Sequence, residues 1–431
     1  MSEVVATNQT ILVVGAGVSG ITAAVEAAET GKQVILVERR PYVGGRITQL
    51  YKYFPKLCFP TCGLEINQRR LSAQPGITVL TMAEVTQVSG SEGNYTATIK
   101  ISPRYVNENC TACGACAEGL EAKFDDDHNY AMSKRKGAYL PYNMAKPERY
   151  VIDPAIIGSE EAEKAKAACR FDAIDLEMQE QTIEFNAGAI IWATGWRPYD
   201  AAKIQPYGYD RFDNVITSVE FERMMDKFGP TGGKILRPGD GKEAKDIAFI
   251  QCAGSRDRNH LKHCSRICCM ASLKQSTYIG EQYGEDDEAA KGTIYYIDIR
   301  SIDRFEDFYR KVQEDPKISF IKSKVASIEQ DKEGNPVVNG VDTEGYNRYA
   351  NTHDLVVLAI GMEPSVDKSM FPVEVVVNEH GFIEADESNG GIFAAGCSAD
   401  ALDVNRAVQS ATAAALRAIQ VVNRNAAAAE A

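Results

Sequence analysis

The pattern of apolar and polar positions near the N-terminus predicts a strand, a helix and a second strand. Residues 11–14 form a short apolar run, residues 18–29 are rich in alanine, and residues 34–37 form a second apolar run that ends at Glu38. A short apolar run bounded by glycine indicates a buried strand, whereas the longer alanine-rich segment indicates a helix. The first 38 residues therefore predict a strand–turn–helix–strand unit.

Later apolar runs predict further buried strands spread over the rest of the chain. They lie within the segments AIIWATGWRP, DIAFIQCAGSRD, GTIYYIDIRSI, DLVVLAIGMEPS and GGIFAAGCSAD. Strands that alternate with helical segments in this way are typical of an α/β fold.

The glycine-rich turn between the first strand and the first helix fits a bound dinucleotide. Gly15 allows the tight turn, Gly17 lets the backbone approach a pyrophosphate, and Gly20 lets helix and strand pack closely. The helix N-terminus then faces the phosphates. Glu38 follows Gly17 by twenty-one residues, where a carboxylate accepts hydrogen bonds from ribose hydroxyls.

Three later segments favour FAD over NAD. Residues 44–46 resemble the second glycine pair of the two-dinucleotide-domain flavoproteins, the class of thioredoxin reductase and glutathione reductase, and residues 193–195 resemble that class's ATG turn. A strand reaching Gly396 precedes a helix that begins near Val404, whose N-terminus would favour the anionic reduced flavin. The residues expected to contact FAD are Gly15, Gly17, Val18, Ser19, Gly20, Glu38, Arg39, Gly45, Arg46, Gln49, Val85, Ala193, Thr194, Gly195, Gly396, Val404 and Asn405.

A second dinucleotide turn is expected after the strand at 246–252, but it keeps only one glycine. The turn consists of Cys252, Ala253, Gly254 and Ser255. An NAD pyrophosphate needs close backbone approach. We therefore expect this domain to keep its fold and to lack nucleotide binding.

Residues 110–124 begin like a bacterial ferredoxin motif and then depart from it. The first three cysteines have the expected spacing, but Leu120 stands where the fourth belongs. In two-cluster ferredoxins that fourth cysteine ligates the other cluster, and the segment around Cys169 resembles the end of a second motif. We expect one 4Fe–4S cluster here, with a vestigial insert as the alternative. Its ligands would be Cys110, Cys113, Cys116 and Cys169.

A second group of four cysteines follows the degenerate turn. Four thiols within eighteen residues, at a strand end and a helix start, are dense enough to be ligands. Zinc sites usually use CxxC pairs, and adjacent cysteines cannot easily join in a disulfide, so an iron–sulfur cluster is favoured over zinc and over free thiols. The expected ligands are Cys252, Cys264, Cys268 and Cys269.

Three cysteines stand outside these sets. Cys58 and Cys62 follow the second glycine pair, and their CxxxC spacing suggests a dithiol like that of disulfide reductases, although those use CxxC or Cx4C; two buried thiols are the alternative. Cys397 is expected to contribute packing. Beyond the pair Cys58 and Cys62, no side chain is a candidate for catalysis, because the redox chemistry belongs to the cofactors.

The net charge limits the classes of partner that we expect, and the N-terminal sequence predicts the compartment. The 431 residues carry a formal net charge of −13 without a Lys/Arg cluster, so neither nucleic acid nor an anionic membrane surface is expected as a partner. The N-terminus has no basic region and no long apolar run, which predicts a cytoplasmic protein without signal peptide or membrane span. Eleven cysteines in a reducing compartment are expected to be ligands or redox groups.

Segments along nearly the whole chain resemble the A subunit of heterodisulfide reductase, the flavoprotein of methanogens and its bacterial relatives. In the family's order they are VVGAGVSGITAAVEAAETGKQVILVE, GGRITQLYKYFP, CTACGACAE, SKRKGAYLPY, IQCAGSRD, HCSRICCM, YYIDIRSIDRFEDFY and GIFAAGCSAD. The resemblance implies an oxidoreductase subunit in which FAD stores electrons and at least one 4Fe–4S cluster passes them singly to partner subunits.

The sequence is shorter than the methanogen subunits that it resembles. Those subunits have a domain before the glycine turn and a ferredoxin domain after the last helix, whereas this turn begins at residue 15 and the sequence ends in NRNAAAAEA. The short form is similar to the A subunit of heterodisulfide-reductase-like complexes of sulfur-oxidising prokaryotes. That resemblance implies B- and C-type subunits and a lipoate-binding protein as partners, and a homodimer, without carrying over electron bifurcation.

The expected architecture is an α/β fold of the thioredoxin reductase type with a ferredoxin-like insert. The FAD-binding domain is expected at 1–100, 186–229 and 366–431, the insert at 101–185, and the degenerate second domain at 230–365. One competing function is a self-contained NAD(P)H-dependent disulfide reductase that uses Cys58 and Cys62. A non-catalytic scaffold with vestigial sites is the other.

Overall fold

The computed structural model describes residues 7–430, apart from residues 55, 285, 303, 366–370 and 385–389. In these residues the chain forms two parallel five-stranded sheets, each with helices and a smaller antiparallel sheet, and a small inserted unit. The predicted α/β class is confirmed.

The strands, in chain order, have the following bounds. They are β1 (Ile11–Val14), β2 (Val34–Glu38), β3 (Ile77–Thr81), β4 (Ala83–Ser91), β5 (Asn94–Ile101), β6 (Lys123–Asp125), β7 (Lys134–Lys136), β8 (Ala138–Tyr139), β9 (Val151–Ile152), β10 (Gln181–Ala187), β11 (Ala189–Trp192), β12 (Trp196–Pro198), β13 (Val215–Thr217), β14 (Asp246–Ala253), β15 (Lys291–Tyr296), β16 (Ile318–Lys322), β17 (Ser327–Gln330), β18 (Pro336–Asp342), β19 (Asn347–Thr352), β20 (Leu355–Ile360), β21 (Met362–Pro364) and β22 (Ile392–Ala394).

The α-helices differ widely in length. They are α1 (Val18–Glu29), α2 (Pro60–Ala73), α3 (Ala115–Glu118), α4 (Glu160–Ala168), α5 (Ser218–Met225), α6 (Cys268–Tyr283), α7 (Phe305–Gln313) and α8 (Val404–Glu430). Within the described ranges, none of them combines the length and the hydropathy that a membrane crossing requires.

The first sheet contains the predicted strand–turn–helix–strand unit. Its order is β22-β11-β1-β2-β3, with every neighbouring pair parallel. Because β1, β2 and β11 are buried on both faces, they have continuous apolar runs in place of an alternating pattern. One face packs on α1 and α8, whose alanines allow close approach, and the other packs on the antiparallel sheet β10-β5-β4.

The second sheet has the order β13-β20-β14-β15-β16 and is also parallel. Its core combines β14, β15 and β20 with the inner faces of α5 and α6. The edge strand β13 and helix α5 lie before residue 230, where the sequence placed the start of this domain. A three-residue edge strand has too little periodicity to be recognised from sequence.

The insert lies between β5 and β10. These two strands pair antiparallel, with Ile101 opposite Gln181, so the chain leaves the three-stranded sheet and returns to it at neighbouring positions. The insert has a small core of its own, which includes Val106, Leu120 and Ile152. It contains α3, α4 and the two-stranded pieces β6-β7 and β8-β9.

Candidate functional site

A cavity of about 440 Å³ lies at the carboxyl ends of the first sheet's strands. In parallel α/β sheets this edge is the usual place for a ligand. Most of the residues predicted to contact FAD line it, namely Gly15, Gly17, Val18, Ser19, Glu38, Arg39, Gly45, Arg46, Val85, Ala193, Thr194, Gly195 and Val404.

The glycine turn has free space beside its backbone at one of its three glycines, Gly17. A Cβ atom on Gly15 or Gly20 would overlap backbone atoms, and Gly15 also has a positive φ of 102°, so both residues serve the fold. A Cβ on Gly17 would meet only the Cα of Gly45, at 3.8 Å, and would point into free space. The protein therefore tolerates a side chain at 17, whereas a pyrophosphate against the backbone would not.

Glu38 is buried at the end of β2 and is held by the turn. Its Oε2 accepts the N–H of Ala16 at 2.8 Å, and its Oε1 accepts the N–H of Arg40 at 2.8 Å. Burial raises the pKa of the Glu38 carboxyl, while these two hydrogen bonds lower it. Each oxygen keeps a second lone pair, which can accept a hydrogen bond from a ribose hydroxyl.

Two buried polar atoms on the cavity wall lack a protein partner. They are Nε1 of Trp192, at the end of β11, and Oε1 of Gln275, on α6. Buried donors and acceptors are almost always paired. The unpaired donor of Trp192 and the unpaired acceptor of Gln275 are available to a large polar ligand in the cavity, such as FAD.

A buried ion pair reaches the cavity from the second domain, and sequence analysis missed it. Lys274 and Glu222 both line the cavity, and Nζ of Lys274 lies 2.8 Å from Oε1 of Glu222, with side chains 5% and 2% exposed. Glu222 also accepts from Nε2 of Gln275 at 2.7 Å and from the N–H of Tyr51 at 3.0 Å. A Lys and a Glu fifty-two residues apart give no sequence signal, because only the fold brings them together.

Four helices begin at the cavity. Their first residues, Val18, Ser218, Cys268 and Val404, all lie on its wall, and they belong to α1, α5, α6 and α8. The partial positive charge of a helix N-terminus favours anions. The cavity is therefore suited to phosphates and to an anionic reduced flavin, and the predicted role of the helix near Val404 fits its position.

Four predicted FAD residues do not line the cavity, and their contact with FAD stays a prediction. Gly20 instead packs against Gly15, and a Cβ on Gly396 would overlap Ser19. Gln49 is buried and donates to the carbonyl oxygen of His128 at 2.9 Å, so it fastens the insert to this segment. The side chain of Asn405 is exposed on α8.

The second cysteine set converges at the start of α6. The pKa of Cys268 is raised well above its usual value, first by burial and then by the charges of the other three thiols of the set, which shows their mutual proximity. Burial also raises the pKa of Cys269 to about 11. Burial also raises the pKa of Cys252, and buried thiols need a positive partner to ionise, which a cluster's iron would supply. This set comprises Cys252, Cys264, Cys268 and Cys269.

Backbone donors and unpaired polar atoms surround this set. The N–H of Arg266 donates to Sγ of Cys264 at 3.3 Å, and the N–H of Arg300 donates to Sγ of Cys269 at 3.4 Å. Hydrogen bonds to sulfur are a usual feature of cluster sites. Three side chains have buried polar atoms without partners: Gln251 directly precedes Cys252, Ser272 follows Cys269 by three residues on α6, and Ser301 follows Arg300. The set thus fits a buried polar cluster.

The second dinucleotide turn is closed by protein. The ring of Tyr199 lies where a Cβ on Gly254 would be, at 2.5 Å, and its hydroxyl pairs with Nδ1 of His260 at 2.8 Å. Helix α6 begins at Cys268, fourteen residues after Gly254, whereas α1 begins directly after Gly17. The longer connection and the ring packed on Gly254 differ from the first turn, and the loss of nucleotide binding stays a prediction.

The insert brings its own four cysteines together. Burial raises the pKa of Cys116 to about 12, and the charges of Cys110, Cys169 and Cys113 contribute to the same rise. The N–H of Ala112 donates to Sγ of Cys110 at 3.4 Å, and the N–H of Ala173 donates to Sγ of Cys169 at 3.4 Å. Sequence-distant Cys169 therefore does reach the other three thiols.

The site of the absent fourth cysteine is filled by the insert's core. Leu120 is 4% exposed and packs with Ala162 and Ala165 of α4, the helix that leads to Cys169. An apolar core occupies this side of the insert, so the residues support one cluster site here.

No three His, Cys, Asp or Glu side chains of the described ranges stand close enough to hold a metal ion by themselves. Ligands of a 4Fe–4S cluster surround a cube of several atoms and lie farther apart than the ligands of one ion. Cys397 lines the cavity, and burial raises its pKa to about 12, which agrees with its expected packing role.

Cys58 and Cys62 are not among the described residues that line the cavity. Cys62 is exposed and Cys58 is half-buried. A dithiol that takes electrons directly from a flavin must face it. The geometry therefore gives no support to a flavin-adjacent dithiol of the disulfide reductase kind.

Comparison with known proteins first identifies the class. The family described as FAD dependent oxidoreductase matches residues 10–107. The structure resembles thioredoxin reductase from T. acidophilum, with a TM-score of 0.52, 13% identity and coverage of 96% of this chain and 98% of that one. Thioredoxin reductase of Lactococcus lactis gives a TM-score of 0.54, with 15% identity and coverage of 96% and 99%. The chain therefore has the predicted thioredoxin reductase fold, and its first 100 residues resemble FAD-dependent oxidoreductases.

Sequence relatives then identify the family. The chain is 39% identical over 421 residues to the second iron–sulfur A subunit of CoB–CoM heterodisulfide reductase from Methanopyrus kandleri, in an alignment that covers 94% of this chain and 63% of that protein. It is 34% identical over 427 residues to the A subunit of the H(2):CoB-CoM heterodisulfide,ferredoxin reductase of Methanothermobacter marburgensis, covering 96% and 64%. The chain is a homologue of the heterodisulfide reductase A subunits, as its motifs predicted, and spans less than two thirds of these relatives' length.

Proposed function

We propose that this chain is the FAD- and iron–sulfur-containing electron-transfer subunit of a heterodisulfide-reductase-like complex. FAD would store electrons in pairs, and 4Fe–4S clusters would pass them singly to partner subunits. The residues of this chain bind the two cofactors, hold them close together and keep water from the space between them. The names of the relatives, which include an iron–sulfur subunit, support both cofactors.

The position of Cys268 carries the proposal. It is the first residue of α6, its sulfur belongs to the second thiol set, and the residue also lies on the wall of the FAD cavity. A ligand shared in this way leaves the thickness of one side chain between the two cofactor sites. Fast single-electron exchange needs such proximity, whereas two unrelated structural sites would not.

The insert supplies a second site, nearer the surface. Cys113 is exposed, and the other three thiols of its set are half-buried. An accessible cluster edge is where a partner could take or deliver an electron. We therefore assign this set to exchange with partners, and the set at α6 to exchange with FAD.

The partners and the process are argued from the family. The relatives are the A-type components of heterodisulfide reductases, and this chain lines up with 63% and 64% of two of them. We propose B- and C-type subunits and a lipoate-binding protein as partners, a role in sulfur oxidation, a homodimer and a cytoplasmic location. Co-purification with each partner tests the proposed assembly one component at a time.

Flavin and iron content per chain, measured after anaerobic purification, test the proposal directly. We expect one FAD and about eight irons, because two sets of four thiols each hold a four-iron cluster. Cys113→Ala should lower the iron to about half and leave FAD bound, since the insert does not contribute a ligand thiol to the cavity.

Two outcomes of these iron and flavin measurements would contradict the proposal. Unchanged iron in Cys113→Ala would show that the insert is vestigial. The thiol set that we assign to electron exchange with partners would then hold no cluster. A colourless protein free of flavin and iron would support the non-catalytic scaffold instead.

A further inference from the structure

Two cysteines near the FAD cavity belong to neither thiol set. Leu50 and Phe54 line the cavity, and the chain then turns back so that Tyr53 and Cys58 form an isolated antiparallel bridge. The N–H of Tyr53 donates to the carbonyl oxygen of Cys58 at 3.2 Å, and the N–H of Leu57 donates to that of Tyr53 at 3.0 Å. The turn thus returns Cys58 to Tyr53, two residues before α2 begins.

The hydroxyl of Tyr53 lies near the start of α2, and both thiols act on its electrostatics. A Cβ on Gly63 would be 3.3 Å from this oxygen, so the phenol stands against the first turn of α2, next to Cys62. A hydrogen bond to Cys58, burial and the charges of Cys58 and Cys62 raise the pKa of Tyr53 to about 12. The phenol therefore stays protonated and donates to sulfur.

The outer thiol is accessible and has apolar neighbours. Cys62 is exposed and free, and Cys58 is half-buried and free. Phe59 is 51% exposed and Ile66 is 58% exposed. Ile66 follows Cys62 by four residues on α2, so the two side chains lie on the same face of the helix.

We infer that Cys58 and Cys62 form a dithiol–disulfide couple that exchanges an electron pair with a disulfide on a partner with an apolar surface. The sulfur of Cys62 attacks the partner's disulfide and releases the first partner thiolate. The sulfur of Cys58 then attacks Cys62 in the mixed disulfide and releases the second. The two protein thiols are oxidised to one S–S bond, the partner's S–S bond is reduced, and the two thiol protons pass to the partner's thiolates.

Surrounding groups suit both directions of this exchange. Cys62 lies in the first turn of α2, where its side chain is exposed to a partner. The hydroxyl of Tyr53 stabilises the sulfur of Cys58 when it leaves as a thiolate during reduction of the couple. Because neither thiol lines the cavity in the described part of the chain, the couple does not depend on the proposed electron transfer through FAD.

A single tryptic peptide reports the state of the couple. Cleavage after Lys56 and Arg69 releases residues 57–69, which contain both cysteines. The anaerobically purified holoprotein is equilibrated with mixtures of reduced and oxidised dithiothreitol, quenched in acid, labelled with a maleimide and analysed by mass spectrometry. We expect the peptide to pass from two labels to an internal disulfide in one step. Two labels at every mixture, or a peptide with one label as a major species, would overturn the inference.

Serine variants separate a redox couple from a metal site. Cys58→Ser and Cys62→Ser should each abolish the internal disulfide while flavin and iron per chain stay at the wild-type values. Loss of iron in either variant would overturn the couple, because it would make the pair cluster ligands. The proposed function has a different failure, which is absence of flavin or iron in the wild-type protein.

Two tyrosines of the same loop provide a matched test of the positioning role. Tyr53→Phe removes the donor to Cys58 and should slow reduction of the couple about three- to tenfold, the usual value of one hydrogen bond. Tyr51→Phe should leave the rate unchanged, because the Tyr51 ring packs on Phe59 and Tyr278, away from the thiols. Equal rates in both variants would contradict the role of Tyr53.

Two aromatic disulfides test the chemistry of the partner. Reaction rates at Cys62 are measured with neutral 4,4′-dithiodipyridine and with dianionic 5,5′-dithiobis(2-nitrobenzoate), each relative to its rate with glutathione. We expect a preference for the neutral reagent, reduced roughly threefold in Ile66→Ser because apolar contact area is lost. Absence of the preference in wild type would exclude an apolar partner.

Discussion

The two dinucleotide-type turns of this chain occupy the same place in their sheets but differ in the space around their glycines. Each follows a central strand of a parallel five-stranded sheet. At the first turn a side chain on Gly17 would point into free space, whereas at the second a side chain on Gly254 would overlap the ring of Tyr199. The backbone of the first turn is therefore open at Gly17, whereas the backbone of the second turn is covered by an aromatic ring at Gly254.

The difference shows how one fold takes on a second chemistry. Between Gly254 and Cys268 the chain adds a loop in place of a phosphate, and the loop and helix start supply four thiols. The N-terminus of α6, which would face a nucleotide phosphate in a binding domain, instead faces the cavity of the other domain through Cys268. The second turn is still at the end of the central strand, but the residues around it supply thiols and leave less room at its glycine.

The largest effect is expected at the open turn. Gly17→Val should yield folded protein largely free of flavin, because a branched side chain would fill the pyrophosphate position. Absorbance at the flavin band per chain gives the loss, and circular dichroism checks the fold.

Gly17→Ala is the graded control for this change. The backbone of Gly17, with φ −75° and ψ −174°, suits any residue, so both variants should fold. Alanine should retain more flavin than valine. Full flavin in the valine variant would mean that the open turn is not the pyrophosphate site.

The second effect separates the two cofactors. Cys268→Ala should lose about four irons per chain and keep its FAD, because a cluster that loses one of four thiolates is released or damaged. Cys397→Ala is the matched control, since Cys397 also lines the cavity but stands outside both thiol sets. Equal iron in the two variants would contradict the assignment of the second set.

The third effect concerns the ion pair that reaches from the second domain to the cavity of the first. Lys274→Met should lower the free energy of unfolding by about 3–5 kcal/mol, because it leaves Glu222 charged and buried without its cation. Combining it with Glu222→Gln should restore part of the loss. Denaturant unfolding measures all three proteins.

A surface pair of the same domain is the control for that measurement. Lys291 lies 3.1 Å from Asp246 but is 58% exposed, so Lys291→Met should cost about 0–1 kcal/mol. A similar cost for both lysine variants would show that the pair at the cavity is not specially buried.

Sequence predicted the features that depend on short segments. The glycine turn at Gly15 and Gly17, the acid at Glu38 and the loss of glycines from the second turn all follow from residues within one strand–turn–helix unit, where local spacing fixes the geometry. The crossing of Cys169 to the other insert thiols was also predictable, because ferredoxin motifs share ligands in a known order. The FAD contacts themselves stay predictions that the cavity's lining supports.

Sequence could not predict features that only tertiary packing creates. Glu222 and Lys274 meet because α5 and α6 are neighbours, and neither position has a motif. Tyr130 lines the cavity from the insert, and its hydroxyl accepts from Nη1 of Arg46 at 3.3 Å. Gln49 was expected at FAD by proximity along the chain, but its amide turns to His128 of the insert. A side chain's direction is set by such competing partners.

The smallest effect is expected from nicotinamide nucleotides, which should reduce the flavin only slowly. This prediction tests the second of the two turns. Because Tyr199 and the loop before Cys268 occupy the second turn, NADH or NADPH alone should bleach the flavin of the isolated protein slowly in stopped-flow mixing, with dithionite as the positive control. Tyr199→Ala opens the ring's space but leaves the loop and the single glycine, so it should not restore fast reduction. Fast stoichiometric bleaching of the wild-type protein would show that the second turn still admits a dinucleotide. It would also revive the NAD(P)H-dependent disulfide reductase, in which electrons from the nucleotide would have to reach Cys58 and Cys62.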